Sequence, residues 1–468
     1  MVTTTHVPEK ARLTSAVGAA PEAVRSGPSP LGPPLRRSAR RLWVLGCLAS
    51  AVWAGCFPIV SDLRPEQSWG LIACVGYLLA AAAAAFAPAR FALRLTAGLA
   101  LLGAVLVPLV VMLAQGWAQS EVQVVQYSAT QLLHTGSPYI PNARHVIQYN
   151  PYLPAMALFG LPRALLGTHG TALRVLGDAR IWFLLSFVGC LIPAWRLLRP
   201  ATTSTGSAAT RSRGWLALAA VTASPLVALS VAVSGVDLPL IGCCLLGLAY
   251  AGRGHALRAG LVIALACALK WTAWPAFPVA LLLLQYRYGL RATLRCAAAT
   301  LAAATALILP FVLVTPGAVL EQVIRFPLGL SKMRTPANSP LPGHLLAELG
   351  PGGRVASLVL LGLGGVAVAL WLLLRPPAGP VQAADRLAAG VAVAFLLAPA
   401  GRFGYLDLPV LLLLWPRLAT GSLRTGPRTR TRAGRRPRPG RGPEPVAESA
   451  SGRLGIVSQE DVVEAADS

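Results

Sequence analysis

The chain has 468 residues, 55% hydrophobic and only 12% charged, with a mean hydropathy of +0.61. A water-soluble domain carries about twice that share of charge, so a soluble globular enzyme is excluded as the body of the fold. The net charge of +24 does not point to nucleic acid, because the arginines stand beside apolar runs and in the C-terminal tail, the pattern of a cytoplasmic membrane face.

Residues 1–40 are polar and Pro-rich, carry no secretory signal and end on Arg36, Arg37, Arg40 and Arg41. They read as a disordered cytoplasmic arm. Apolar runs of about 20 residues then recur, long enough to cross a hydrocarbon core of about 30 Å. Backbone at that depth must satisfy its own hydrogen bonds, so the runs are predicted to be helices. They fall near 42–60, 70–88, 95–115, 180–197, 214–233, 237–252, 256–270, 272–286, 293–315, 353–374, 383–400 and 404–417. The expected fold is thus all-α, a polytopic transmembrane bundle of about 12 helices with two long outer loops. Residues 41–94 form an N-terminal transmembrane hairpin, 95–417 a core, and 418–468 a basic, then acidic, disordered tail.

Starting inside, each even-numbered helix returns to a basic loop. Arg90 and Arg94, Arg196 and Arg199, Arg253 and Arg258, Arg287 and Arg291, and Arg375 and Arg386 follow in turn. Both termini are then cytoplasmic in a multi-pass protein of the cell membrane. Residues 153–167, apolar but short and broken by Pro154 and Pro162, read as a re-entrant or interfacial helix on the outer face. A crossing there would flip every later helix. Residues 256–286 read better as a hairpin turning at Lys270–Pro275 than as one long helix, because both flanks are basic.

On this topology the outer loops are about 116–179 and 316–352. With the shorter outer turns carrying Asp62, Asp237, Lys270, Arg402 and Asp407, they collect nearly all the ionisable groups of the membrane region that are not arginine, and such groups at membrane depth are functional candidates. Glu121 opens an amphipathic stretch just past the third helix. It is either a first-turn carboxylate favoured by the helix dipole or a general base at the membrane surface. Lys270, flanked by Trp271 and Trp274, is either a snorkelling interfacial lysine or a cation for a lipid phosphate. Arg325, Lys332 and Arg334 are further phosphate candidates, and Asp237 either caps a helix or faces the site. The eight cysteines show no zinc spacing, no His/Cys/Asp/Glu grouping suits a metal, and no phosphate-binding glycine motif occurs. No cofactor is expected.

An acidic residue after a helix, then Gly136-Ser137-Pro138-Tyr139, then Tyr149-Asn150-Pro151-Tyr152-Leu153-Pro154, resembles the first outer loop of GT-C-fold glycosyltransferases. The likeness is closest to glycosyltransferase family 87, the polyprenol-phosphate-mannose-dependent mannosyltransferases. Ser224-Pro225 with Asp237-Leu238-Pro239, the stretch Gly260–Pro275, and Asn338-Ser339-Pro340 extend it over roughly 95–415. The resemblance implies a sugar taken from a polyprenyl-phosphate donor and passed, with inversion, to a hydroxyl of a glycan or glycolipid acceptor on the outer leaflet. Glu121 stands where the family usually has the Asp that acts as base. Lys270, Arg325 and Arg402 would hold the donor phosphate, Tyr139, Tyr149, Asp178, Asp237, Asn338 and His344 would face sugar or acceptor, and the Pro-broken helix at 153–167 would roof the lipid-entry groove. A multi-pass transporter or lipid flippase is the competing function, since broken helices and intramembrane charges serve those too. No internal repeat supports it, and the polar groups gather at one face.

Overall fold

The computed structural model describes residues 37–199, 208–333 and 335–422, all within one compact unit spanning residues 1–423. The expected N-terminal arm up to residue 36, Arg334 and the tail beyond residue 422 lie outside the described residues. Among the described residues the structure is helical, and its sole extended pairing is an isolated parallel bridge between Asn338 and Gly401.

Helices α1 (Arg37–Val60) and α2 (Arg64–Phe86) form the N-terminal hairpin. Helices α3 (Ala92–Leu101) and α4 (Val107–Gln115) are one rod joined by a π-turn at Leu102–Leu106. That turn has a local cause. Pro108 has no N–H for the carbonyl of Ala104, and the indole of Trp69, on α2, donates to it instead at 2.9 Å. Gly76 and Gly103 let α2 and the π-turn touch backbone to backbone, since a Cβ on Gly76 would lie 2.6 Å from the Gly103 Cα. Tyr77 on α2 also donates to the Ala223 carbonyl at 2.8 Å. The hairpin is therefore fastened to the core at several points.

The amphipathic α5 (Ser120–Thr135) follows, then a 3-10 segment at Pro154–Gly160 leading into α6 (Leu161–Leu166), and then α7 (Thr171–Gly177). Gly160 lets this Pro-broken segment lie on α5, because a Cβ there would meet the Val125 carbonyl at 2.4 Å. The main bundle continues with α8 (Ala179–Leu198), α9 (Ala208–Thr222), α10 (Pro225–Val233), α11 (Leu238–Gly252), α12 (Ala256–Leu269), α13 (Ala276–Tyr288) and α14 (Leu290–Val314). After the short α15 (Pro316–Val319) and a π-turn at Leu320–Arg325 come α16 (Pro342–Glu348), α17 (Pro351–Leu374), α18 (Pro380–Leu397) and α19 (Asp407–Thr420). Helix α11, apolar on every side and buried on nearly all of them, is the axis of the core. Helices α14 and α17 are the least buried and carry leucines and valines outward, as a lipid-facing perimeter requires.

Hydrogen bonds tie the connecting segments together at two ends. At one end Arg40 donates to the carbonyls of Ala84 and Ala87 at 2.6 and 2.7 Å, and Arg253 to those of Leu197 and Arg199. Arg417 pairs there with Asp385 at 2.5 Å. This is the arginine-rich end. At the other end Gln119 N donates to the Val233 carbonyl at 2.9 Å, Leu153 N to that of Leu269 at 3.0 Å, and Ser339 N to that of Gly401 at 3.0 Å.

Among the described residues seven helices are long and apolar enough to cross a membrane, or eight if the α9–α10 pair, bent by 69°, is one span. Length and composition thus do not reach the expected count of about 12. The shortfall falls on the helices that converge on the site. Helices α11 and α12, with 15 and 14 residues, reach only about 21–22 Å at 1.5 Å per residue. The break after Leu269 agrees with the predicted hairpin, since Lys270 is extended and Trp271–Ala273 make a single 3-10 turn before α13.

Candidate active site

At the end opposite the arginine-rich one lies a cavity of about 490 Å³. Three charged side chains reach it: Glu121 from the first turn of α5, Lys270 from the α12–α13 turn and Arg402 from the segment before α19. Much of the remaining wall is apolar, part of it from Pro278 of α13, Leu361 of α17, and Val391, Ala394 and Phe395 of α18, and the rest mainly from connecting segments. A polar floor therefore meets a greasy slot.

The sequence dictates each position locally. Gly116, in the left-handed conformation at φ 70°, ends α4. Gln119 N then docks on the end of α10, and α5 starts with Glu121 in its first turn, where the helix dipole favours a carboxylate. The α10 helix ends at the same place, so Ser234 donates to Glu121 Oε2 at 2.5 Å. Arg402 approaches the other oxygen, Oε1, at 3.5 Å. Lys270 is 6% exposed, which costs hydration, and it is compensated by Asp237 Oδ1 at 2.8 Å. Its ammonium also lies over the Tyr405 ring, 4.3 Å from the centroid, and 5.7 Å from that of Tyr152.

The charges are mutually supporting. Burial works against the Lys270 cation, but Asp237, Tyr405 and Glu121 outweigh it and hold it above the ordinary lysine range. The Glu121 carboxylate raises Arg402 against the pull of burial. Burial, reinforced by Glu121, pushes the Tyr152 phenol well up, so it is a neutral hydroxyl. Glu121, Asp237, Lys270 and Arg402 thus form a closed network of two negative and two positive groups.

Of the residues predicted from sequence, Glu121, Lys270, Arg402 and Tyr149 line this cavity, with Asp237 directly behind Lys270. The others do not. Arg325 has a half-exposed side chain, 55%, paired with its neighbour Glu321 at 3.5 Å. Tyr139 is buried in a small cluster with Leu153, Val319 and Val323, and its hydroxyl donates to the Tyr152 carbonyl at 2.9 Å. Asp178 caps α8 and is held by Arg180 through two contacts of 2.9 and 3.0 Å. Asn338 is exposed, and its backbone bridge to Gly401 sets the position of the segment carrying Arg402. His344 packs against the Pro399 carbonyl at 3.0 Å. Residues 154–166 line no part of the cavity, so the Pro-broken segment is not its roof. It packs on α5 and steadies the helix that carries Glu121.

Sequence reasoning missed Ser234. The available signal was Ser230 and Ser234, the two serines within and just after an otherwise apolar helix. Each engages a carboxylate, since Ser230 donates to Asp407 Oδ2 at 2.5 Å. Asn150, in the tyrosine–asparagine–proline motif, is a fastener: its N–H donates to Gln322 Oε1 at 3.0 Å, and Gln322 Nε2 reaches the Ile140 carbonyl at 2.7 Å. The two long loops are joined there.

The fold and site define a polytopic membrane protein whose charged groups meet in an amphipathic cavity at one end of the bundle. A model of glycosyltransferase family 87 matches residues 150–399, just over half of the chain. The chain belongs to glycosyltransferase family 87 and is a membrane glycosyltransferase. No curated protein and no solved structure matches it. The matched span holds Asp237 and Lys270, while Glu121 and Arg402 reach the same cavity from either side of it.

Proposed function

We propose that this glycosyltransferase moves a sugar, mannose in our reading, from a polyprenyl-phosphate donor to a hydroxyl of a glycan or lipid acceptor at the outer face of the cell membrane. One observation carries the proposal: a carboxylate and two cations share a cavity whose remaining lining is mostly apolar and includes residues of α13, α17 and α18. A lipid-linked donor needs that combination. Its chain lies along the greasy wall, its phosphate meets the cations, and its anomeric carbon stands over the polar floor.

The acceptor oxygen attacks the anomeric carbon from the face opposite the phosphate. The bond from that carbon to the phosphate oxygen breaks, the configuration inverts and polyprenyl phosphate leaves. Glu121 takes the acceptor proton. Lys270 is already held by Asp237 at 2.8 Å, whereas Arg402 lies 3.5 Å from Glu121. Arg402 is therefore the readier partner for the phosphate, and its transfer to that anion frees Glu121 Oε1 as a base. Loss of a charge-assisted contact of this kind costs roughly 1.5–3 kcal/mol. Arg402→Gln is expected to raise the donor KM at least tenfold, with Arg402→Lys intermediate. Membranes supplied with radiolabelled polyprenyl-phosphate mannose and acceptor measure it, and an unchanged donor KM removes Arg402 from the phosphate site.

The orientation is tested separately. A cysteine replacing His134, exposed at the end of α5, is expected to react with an impermeant thiol reagent on intact cells, above the labelling of the parent protein. One replacing Arg90, at the arginine-rich end, is expected to react only after lysis. The reverse pattern overturns outer-face action.

A further inference from the structure

A second cavity, about 330 Å³, lies along the seam between α1 and the core, among α1, α2, α3 and the α9–α10 break. It is remote from Glu121, near the arginine-rich end, and nothing in the transfer reaction uses it. Leu42 and Trp43 stand at its outer part, and Gly46, Ala97, Ala100 and Ala220 leave room along its length. Volumes of roughly 300–1,000 Å³ are typical of ligand pockets.

Four hydroxyl-bearing residues line it, and three of the hydroxyls are occupied, that of Ser224 by the Val221 carbonyl at 2.6 Å. Ser50 donates to the Gly46 carbonyl at 2.8 Å and Tyr77 to that of Ala223 at 2.8 Å. The fourth, Thr96 Oγ1, is buried and has no hydrogen-bond partner, although the residue is only 1% exposed. A helical threonine ordinarily bonds back to a carbonyl of its own preceding turn, and this one does not. A hydroxyl buried in an apolar membrane helix and left unpartnered implies a polar atom supplied from outside the chain.

Its depth says which kind. Thr96 stands four residues into α3, about 6 Å from the helix start. The polar layer of a bilayer is about 5–8 Å thick on each side of the hydrocarbon core. With the start of α3 taken as the edge of the polar layer, the hydroxyl sits at the base of that layer, where the ester carbonyls of a glycerophospholipid lie. Exposed Arg41 adjoins Leu42 at the mouth, at headgroup level. The small residues lead inward from Thr96 toward Pro225.

We propose that this seam is a binding site for one glycerophospholipid of the leaflet at the arginine-rich end, with a lipid ester carbonyl accepting from Thr96 Oγ1, the phosphate beside Arg41 and an acyl chain along the small residues. The lipid fills the joint between the N-terminal hairpin and the bundle. Polyprenyl phosphate, which has no ester carbonyl, does not meet the same requirement.

The test uses the delipidated full-length protein in detergent. Binding of phosphatidylglycerol with ester-linked chains, its ether-linked counterpart and polyprenyl phosphate is measured by native mass spectrometry, with thermal stability alongside. One hydrogen bond corresponds to about a fivefold preference for the ester form over the ether form in the parent protein. Thr96→Val keeps the shape and is expected to remove that preference, and Thr96→Ser to keep it. Ala100→Leu, which fills the groove, is expected to weaken both phosphatidylglycerols. Equal binding of ester and ether lipids by the parent, a preference that persists in Thr96→Val, or tighter binding of polyprenyl phosphate lost in Ala100→Leu would each overturn the proposal.

Discussion

Replacement of Glu121 by Gln is expected to lower sugar transfer by about 10²–10⁴-fold while leaving the protein folded, the range ascribed to a positioned general base. The substitution is nearly isosteric. The introduced amide can still accept from Ser234 through its oxygen, so the hydrogen bond now made at 2.5 Å persists. The charge that faces Arg402 at 3.5 Å does not. Freed of that partner, Arg402 is expected to bind the donor phosphate as well as before or better, so the donor KM stays flat or falls while kcat collapses. That split separates a base from a structural carboxylate, whose loss would lower protein yield. Glu121→Asp tests position, since it moves the carboxylate back by about 1 Å, and misplacement on that scale can cost 10²-fold. Radiolabelled polyprenyl-phosphate mannose, added to membranes with equal amounts of each variant, gives the measurement. Full transfer by an intact Glu121→Gln variant ends the base assignment. Ser234→Ala should have a smaller effect in the same direction, because Ser234 orients the carboxylate and touches no substrate in this reading.

The parts of the fold legible in the sequence were those set by local physics. Long apolar runs became helices because buried backbone has no other option in lipid, and the turn at Lys270–Pro275 was visible from its basic flanks. The membrane crossings were harder to count, because α11 and α12 are short where they meet the site. The site divides the same way. Glu121 and Lys270 stood out as lone charges at helix ends. Choosing Arg402 over Arg325 required three dimensions, although one clue was local: Glu321, four residues before Arg325, is its partner. Ser234 could be noticed as a polar residue after an apolar helix but not paired, because its carboxylate lies 113 positions earlier. The orphan carbonyl opposite Pro108 was predictable, but not that Trp69 would fill it.

Asp178 gives the second large effect, and it falls on stability rather than on sugar binding. Arg180 is 1% exposed, and its guanidinium is spent on Asp178 Oδ1 and Oδ2 and on the carbonyls of Trp117 and Ala232 at 2.9 and 2.7 Å. It thereby fastens the ends of α4, α8 and α10, the last of which carries Ser234 to Glu121. Breaking a buried pair by removing one partner costs about 3–5 kcal/mol, because the other charge is left uncompensated. Asp178→Asn is accordingly expected to lower the melting temperature and the yield of folded protein in detergent, measured by fluorescence-detected size exclusion after heating. Arg163, 3.7 Å from Asp178 Oδ2, does not replace it, being a second cation rather than an anion. Asp178→Leu combined with Arg180→Met removes both charges and is expected to recover part of the loss, since buried ion pairs can often be exchanged for apolar groups. The recovery should be incomplete, because the Trp117 and Ala232 carbonyls lose their donor. An Asp178 that instead held a sugar hydroxyl would give a stable Asp178→Asn protein with a raised acceptor KM, and the double variant would recover nothing.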